Sequence, residues 1–423
     1  FDLPSRGVQM NVPGVAYAHP LDGRPAGIAY TDLAATVAAL TEHSTPHDAK
    51  AWRELMTPLV DNFDMIAALC LGDMRSLPPG TRSRRGAKTA AAFALRTLEQ
   101  GTRAWNRRFS DGMAPAMLTG IGGHVSAPKP SLASAATMLL LGSAAHAIGW
   151  PIPTGGSQAI THALINDLYA HGGQVLCDRG VSDWRLLPPA RTYLFDTSPW
   201  VLARVFRNRL GTRYRRAIAH FEPGNGVAKA DFVLTAPVPW TDPRIAEAGT
   251  VHCGGGRTQI AAAESEISAG RHPDRPLVLV SQPTVADPSR ISGDGLLPLW
   301  TYTHVPNGSD RDPTETITAQ IERFAPGFRD VVLASRATPA HQMSAHNANY
   351  RGGDIAAGTV SMYRMLARPT PRWNPYRTPL DGVYLCSAST PPGPSVHGMS
   401  GYHAARHVLA DEFGITTVPD LGP

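Results

Sequence analysis

The segment from Val383 to Arg406 constrains the fold more than any other part of the chain. Val383-Tyr384-Leu385-Cys386-Ser387-Ala388 is apolar and β-favouring, as a strand covered on both faces requires. Pro391 and Pro392 end it, because proline donates nothing to a sheet ladder. Gly398 and Gly401 then stand one helical turn apart, opening a helix whose Ala404 and Ala405 let it lie close to a sheet. The first N–H groups of that helix lack intrahelical partners, and the macrodipole places partial positive charge on them. With no side chains at the two glycines, such a pole suits an anion: a phosphate, or the electron-rich edge of a reduced flavin. The same pattern also serves as an ordinary strand-to-helix connection whose glycines only turn the chain. The usual dinucleotide fingerprint, G-x-G-x-x-G after a strand, occurs nowhere. Gly120-Ile121-Gly122-Gly123, Gly224-Asn225-Gly226 and Gly254-Gly255-Gly256 lack its spacing.

Composition bounds the rest. At 423 residues, 43% hydrophobic and 17% charged, the chain is globular and long enough for more than one domain. Its 40 glycines and 38 prolines fit a loop-rich mixed α/β protein. Cys70, Cys177, Cys253 and Cys386 are far apart and form no C-x-x-C, so they read as small buried hydrophobes of a reducing compartment, with no metal site. The net charge is +5, with arginines at 82, 84 and 85 and at 204, 207, 209, 213, 215 and 216. These read as solvated helix faces or as a surface drawn to anionic lipid headgroups. No binding motif accompanies them that would read nucleic acid. The most apolar run, Ala133 to Trp150, is short for a bilayer crossing and contains His146, so it reads as a buried helix. It also suits the wall of a greasy channel or a membrane surface.

Along the chain, periodicity predicts helices over Thr31–Leu40, His47–Cys70, Thr89–Leu98, Ser131–Gly149, Ser157–His171 and Thr314–Phe324. Strands are predicted at Gly7–Val12 and Gly27–Tyr30, at Gln174–Cys177, at Leu194–Thr197, and then over Val227–Leu234, Leu277–Ser281 and Leu299–Val305. The last alternates Leu299, Thr301 and Thr303 with Trp300, Tyr302 and His304, one face for packing and an aromatic one that would suit the floor of a substrate cavity or simple packing against helices.

Leu385-Cys386-Ser387-Ala388-Ser389-Thr390-Pro391-Pro392-Gly393 followed by Val396-His397-Gly398-Met399-Ser400-Gly401-Tyr402 resembles the C-terminal flavin-binding signature of the phytoene desaturase-like FAD-dependent oxidoreductases. Gly155–Ile160, Pro306-Asn307-Gly308, Ile321–Phe328 and Asn349–Ile355 also resemble segments of that family, in family order. Pro394-Ser395 replaces part of the family's glycine run. The family's opening strand–glycine turn–helix has no counterpart here, so the resemblance implies a chain that is N-terminally incomplete relative to the family. The resemblance implies an α/β fold: an FAD/NAD(P)-binding Rossmann-like domain, incomplete at the N-terminus, with an inserted α+β substrate-binding domain. Residues 1–150 would form the mainly helical part of the substrate domain and 201–375 its mixed sheet and helices. Residues 151–200 and 376–423 would form the middle and C-terminal segments of the FAD domain.

The resemblance further implies FAD as cofactor, held at Gly156, Val181, Ser387, Ala388, Ser389, Val396, His397, Gly398, Met399 and Gly401. Val181 would lie near the adenine. The implied activity is flavin-mediated hydride transfer on a long apolar, isoprenoid- or carotenoid-like substrate, in the cytoplasm or peripheral to a membrane. No catalytic side chain is assigned, because the flavin accepts hydride and the protein mainly positions the substrate. His397 would touch the ring or brace its loop, Asp354 would serve as an acid/base or a cap, and His304 and His346 are weaker candidates. The alternative is a non-catalytic member of the same fold that binds a partner.

Overall fold

A computed structural model describes residues 1–422. Its main strands are β1 (Val15–Leu21), β2 (Arg24–Tyr30), β3 (Tyr193–Phe195), β4 (Gly226–Leu234), β5 (Ala248–Cys253), β6 (Val278–Ser281), β7 (Leu297–Val305), β8 (Val332–Thr338) and β9 (Val383–Leu385). Seven of them make one sheet in the order β8-β4-β7-β6-β5-β1-β2. Its neighbours are antiparallel except β1 and β5, which run parallel with Tyr17 opposite Thr250. The other two, β3 and β9, form a separate parallel pair with Leu194 opposite Tyr384.

Both faces of the large sheet are covered. On one, Phe232, Val251, Val280 and Leu299 pack against Ile317 and Ile321 of the helix Thr314–Glu322 and against Phe328. The alternation in β7 puts Leu299 there, while Tyr302 packs on the opposite face with Leu279 and Ile260. That side also carries a helical layer: α1 (Leu33–His43), α2 (Pro46–Val60), α3 (Phe63–Cys70), α4 (Arg84–Gly101), α5 (Met113–Gly122) and α6 (Leu132–Ala147). Helix α5 is buried along its whole length because it lies directly on the β1–β2 hairpin. Glycine permits this approach: a Cβ at Gly120 would stand 2.5 Å from His19 Nδ1. Helix α6 packs in the same core, where Trp52 Nε1 of α2 donates to His146 Nε2 at 3.3 Å. No helix among the described residues is long and apolar enough to cross a membrane.

Several expectations are corrected. The helix expected over His47–Cys70 is two, α2 and α3, separated at Asp61-Asn62. Pro58 offers no N–H near the end of α2, and Asn62 Nδ2 bonds the Pro58 carbonyl at 2.9 Å, which favours a local turn over continued helix. Gln174–Cys177 is irregular: it has no strand beside it among the described residues, and Leu176 and Cys177 are exposed. Cys177 is therefore not a buried hydrophobe, whereas Cys253 and Cys386 are. The strand expected over Val383–Ala388 stops at Leu385. Beyond it, the Ser387 carbonyl turns to accept from Thr390 N–H at 2.8 Å and Thr390 Oγ1 at 2.7 Å. Local side-chain bonding takes over from the ladder there.

Candidate functional site

The parallel pair supports a tight turn and a helix. Val383, Leu385 and Phe195 pack with Leu202, Val205 and Phe206 into a small core of their own. Cys386 N–H makes the last bond to β3, to the Phe195 carbonyl at 3.0 Å. The chain then turns through Ser387–Gly393, where Gly393 N–H donates to Thr390 O at 2.9 Å and Tyr376 Oη donates to Pro391 O at 3.0 Å. The C-terminal helix, Met399–Phe413, follows. Ser400 Oγ ties its first turn back to the carbonyls of Thr390 and Pro391 at 3.4 and 3.3 Å.

Gly398 occupies the N-cap with φ 65°, a left-handed conformation that L side chains rarely adopt. The His397 Nδ1 accepts from Met399 N–H at 3.0 Å, so one free amide of the helix start is already used. Burial draws the His397 imidazole below its ordinary pKa, against the opposing Gly393 carbonyl, and the neutral ring suits its role as acceptor. The Ser400 and Gly401 amides find no acceptor among the described residues. Cβ atoms at Gly398 and Gly401 would meet nothing within 4 Å. The helix start therefore has two unpartnered donors and open space where side chains at its two glycines would stand. A flavin's electron-rich edge fits two such donors; a pyrophosphate cradle of the G-x-G-x-x-G kind is not in the sequence.

The expected residues divide by location. Ser387 and Ser389 are buried in the turn, and Ser389 Oγ is committed to the Ala357 carbonyl at 2.8 Å, so it acts inside the protein. Ala388 is half-buried, and its carbonyl accepts from Arg368 Nε at 2.8 Å. Val396 is 93% exposed at the rim. His397, Gly398, Met399 and Gly401 surround the helix start. Val181 packs into the core beneath β3 and β9. Gly156 lies elsewhere: a Cβ there would stand 2.8 Å from Arg290 Nη1, and its neighbour Gly155 N–H donates to Asp287 Oδ2.

Asp354 is not an accessible acid; its amide closes the short 3-10 helix Arg351–Gly353 by donating to Arg351 O, and its side chain caps the N-terminus of no described helix. It is 1% exposed, and its carboxylate accepts from the amides of Gly224, Ala356 and Gly358 at 2.8, 2.8 and 2.7 Å. The Gly224 bond links the start of β4 to the 354–359 loop, and Ser389 and Arg368 link that loop to the turn. Burial brings Arg368 down to about 10, with Asp354 opposing the shift, so it stays charged at neutral pH.

Sequence reading named His304 but missed the polar cluster it belongs to under the large sheet. Glu264, fully buried, accepts from His304 Nδ1 at 2.7 Å, and Lys129 Nζ lies 3.5 Å from its other oxygen. Lys129 also donates to the carbonyls of Val125 and Ala127, both at 3.1 Å. Burial works against the Glu264 carboxylate, but His304 and Lys129 outweigh it and hold it below the usual range. Beside this group, His124 Nε2 and His252 Nε2 stand 3.2 Å apart. Burial lowers His19 and His124 to about 4 and draws His252 well below its ordinary value. These residues sit on separate elements, so no local motif announces them; Arg368 likewise sits in an unremarkable stretch.

On the same sheet side, Trp300 is 41% exposed with Lys229 Nζ 5.3 Å from its ring centre, and Lys229 bonds Asp231 at 2.9 Å. A cavity of about 250 Å³ between Asp73, His403, Arg406, His407 and the 415–418 segment contains none of the expected site residues.

Known proteins resemble this arrangement. A putrescine oxidase bound to putrescine superposes with a TM-score of 0.54 at 14% identity, over 98% of this chain and 84% of that one. The chain therefore shares the mixed α/β fold of that oxidase. No family model matches the chain. The rat pyridine nucleotide-disulfide oxidoreductase domain-containing protein 2 is 25% identical over 300 residues, which cover 62% of this chain and 51% of the rat protein. The mouse protein of that name is 37% identical over 92 residues, 22% of this chain and 16% of its own. An uncharacterised Mycobacterium tuberculosis protein is 26% identical over 298 residues, 62% of this chain and 55% of its own. The chain thus spans about half the length of the curated relatives it matches. The rat and mouse relatives are oxidoreductase-domain proteins by name.

Proposed function

We propose that the protein is an FAD-dependent oxidoreductase whose C-terminal helix start receives the isoalloxazine ring. The observation that carries this is the pair of unpartnered amides, Ser400 and Gly401, on a helix start whose two glycines have open space where side chains would stand. The fold shared with putrescine oxidase and the oxidoreductase-domain relatives support it. Bound flavin would supply a hydride acceptor. The protein's part would be to hold the ring's edge with these amides, keep His397 neutral as their brace, and shape the turn that carries them.

The narrower carotenoid-type reading rests on motif resemblance alone. Helix α6 lies within the core packed around Trp52 and Met138. A partly exposed patch of the large sheet combines Trp300 with the Lys229–Asp231 pair. That mixture favours a substrate with a flat apolar part and a polar or charged group over a bare polyene. Peripheral membrane contact is likewise a proposal, supported by the six exposed arginines between 204 and 216.

The alternative, a partner-binding module, is favoured by one feature. The helix Gln158–Ala170 buries only Ala163 and leaves Leu164, Leu168 and Tyr169 exposed. Titration with FAD, followed by visible absorbance of the protein fraction, separates the two. Retained flavin bands support the enzyme; a colourless protein at saturating FAD overturns it.

A further inference from the structure

A guanidinium sealed from solvent needs compensation for its lost hydration. Arg368 is 0% exposed, and its compensation is almost entirely backbone. Its Nε–H donates to Ala388 O at 2.8 Å. Nη1 donates to Thr359 O at 3.3 Å and Gly358 O at 3.4 Å. Nη2 donates to Ala357 O at 3.1 Å and, more closely, to Ala356 O. The Phe221 ring lies 5.5 Å from its Cζ. Lysine offers a point charge where arginine offers a planar fork, and only the fork spans carbonyls on two separate strands of chain.

The loop it grips is held from the other side by an opposite charge. Asp354 accepts from the amides of Ala356 and Gly358, while Arg368 takes the carbonyls of residues 356–359. The loop is thus clamped between a carboxylate and a guanidinium. Two bonds lead from the clamp to the turn before the C-terminal helix: Arg368 to the Ala388 carbonyl, and Ser389 Oγ to the Ala357 carbonyl. Past the Cys386 bond to Phe195, the turn has no sheet ladder to hold it. Its placement then depends on side chains.

We propose that Arg368 is a positioning residue that fixes the Ser387–Gly393 turn from behind, and through it the affinity of the adjoining helix start for flavin. The first half stands on the geometry of this chain alone; the second rests on the flavin reading.

Hydrogen exchange and FAD titration of the full chain test the halves separately, in the wild type, Arg368→Ala and Arg368→Lys. In Arg368→Ala, amides of 354–359 and 386–393 should exchange about 100-fold faster, while β6 and β7 keep their protection. FAD affinity should fall at least about tenfold, or about 1.4 kcal/mol. Guanidinium at non-denaturing millimolar concentration should restore both, and urea, which has the shape without the charge, should not. Arg368→Lys should recover little of either, and it carries the same readouts if the alanine variant does not fold. Unchanged protection of the turn in the variants, or equal rescue by urea, overturns the positioning role. Wild-type protein that binds no FAD overturns the flavin reading, while the exchange data still decide the role of Arg368.

Discussion

The seven-stranded sheet and the two-stranded parallel pair solve the same problem differently. The large sheet has long ladders, apolar layers on both faces and a buried interior. The pair has three residues per strand, and the turn beyond it is tied by individual bonds from Arg368, Ser389 and Tyr376. Parallel sheets ordinarily need cover on both faces and more strands than two. Stability is therefore concentrated in the first region, and adjustable geometry in the second. This division is common where a rigid scaffold presents a binding loop.

The largest effect should come from the scaffold. Phe328→Ala removes a fully buried ring packed 5.4 Å from Phe232 and should cost about 3–5 kcal/mol in urea unfolding. A loss below about 1 kcal/mol would mean that the large sheet is not the stabilising unit.

Acid should act on the same region. His19, His124 and His146 are lowered by burial to about 4 from an ordinary 6.5. Between these values the unfolded chain binds protons that the folded chain refuses, so stability falls as pH drops from about 6.5 to about 4 and levels off below. The loss is of order 3 kcal/mol per histidine. Thermal unfolding at pH 7, 5 and 4 should show Tm falling steadily. A flat profile would place these rings in contact with water.

At the second region, Gly401→Val should reduce FAD affinity by about tenfold or more with Tm nearly unchanged, since the added side chain projects into open space. Gly398 is a poorer probe because its φ of 65° strains any L side chain. The smallest effect belongs to Ser389→Ala, about 1 kcal/mol, seen as faster exchange in the turn with little change in global unfolding.

Legibility followed the same division. The strand at 297–305, the helix at 132–147 and the glycine at the last helix start were readable because periodicity and glycine chemistry are local signals. The clamp was not: Asp354 stood out, but its partners at 224 and 368 come from distant sequence. Strand β1 was missed too, since Val15-Ala16-Tyr17-Ala18 is buried at every position and so shows no alternation. The strand expected at Gln174–Cys177 fails for the opposite reason: its residues favour extension, but no neighbouring strand completes a ladder with them.

The carboxylate of Glu264 has two basic neighbours, and it uses both. Lys129 Nζ stands 3.5 Å from one of its oxygens and also serves two carbonyls, while His304 Nδ1 holds the other oxygen at 2.7 Å. The carboxylate comes from the helix Arg257–Ser268, the imidazole from β7 and the ammonium from the segment between α5 and α6, so one buried group ties three distant parts of the chain together. Removing either neighbour leaves the anion half compensated under the sheet, and the loss is felt by the sheet and its helical layer at once.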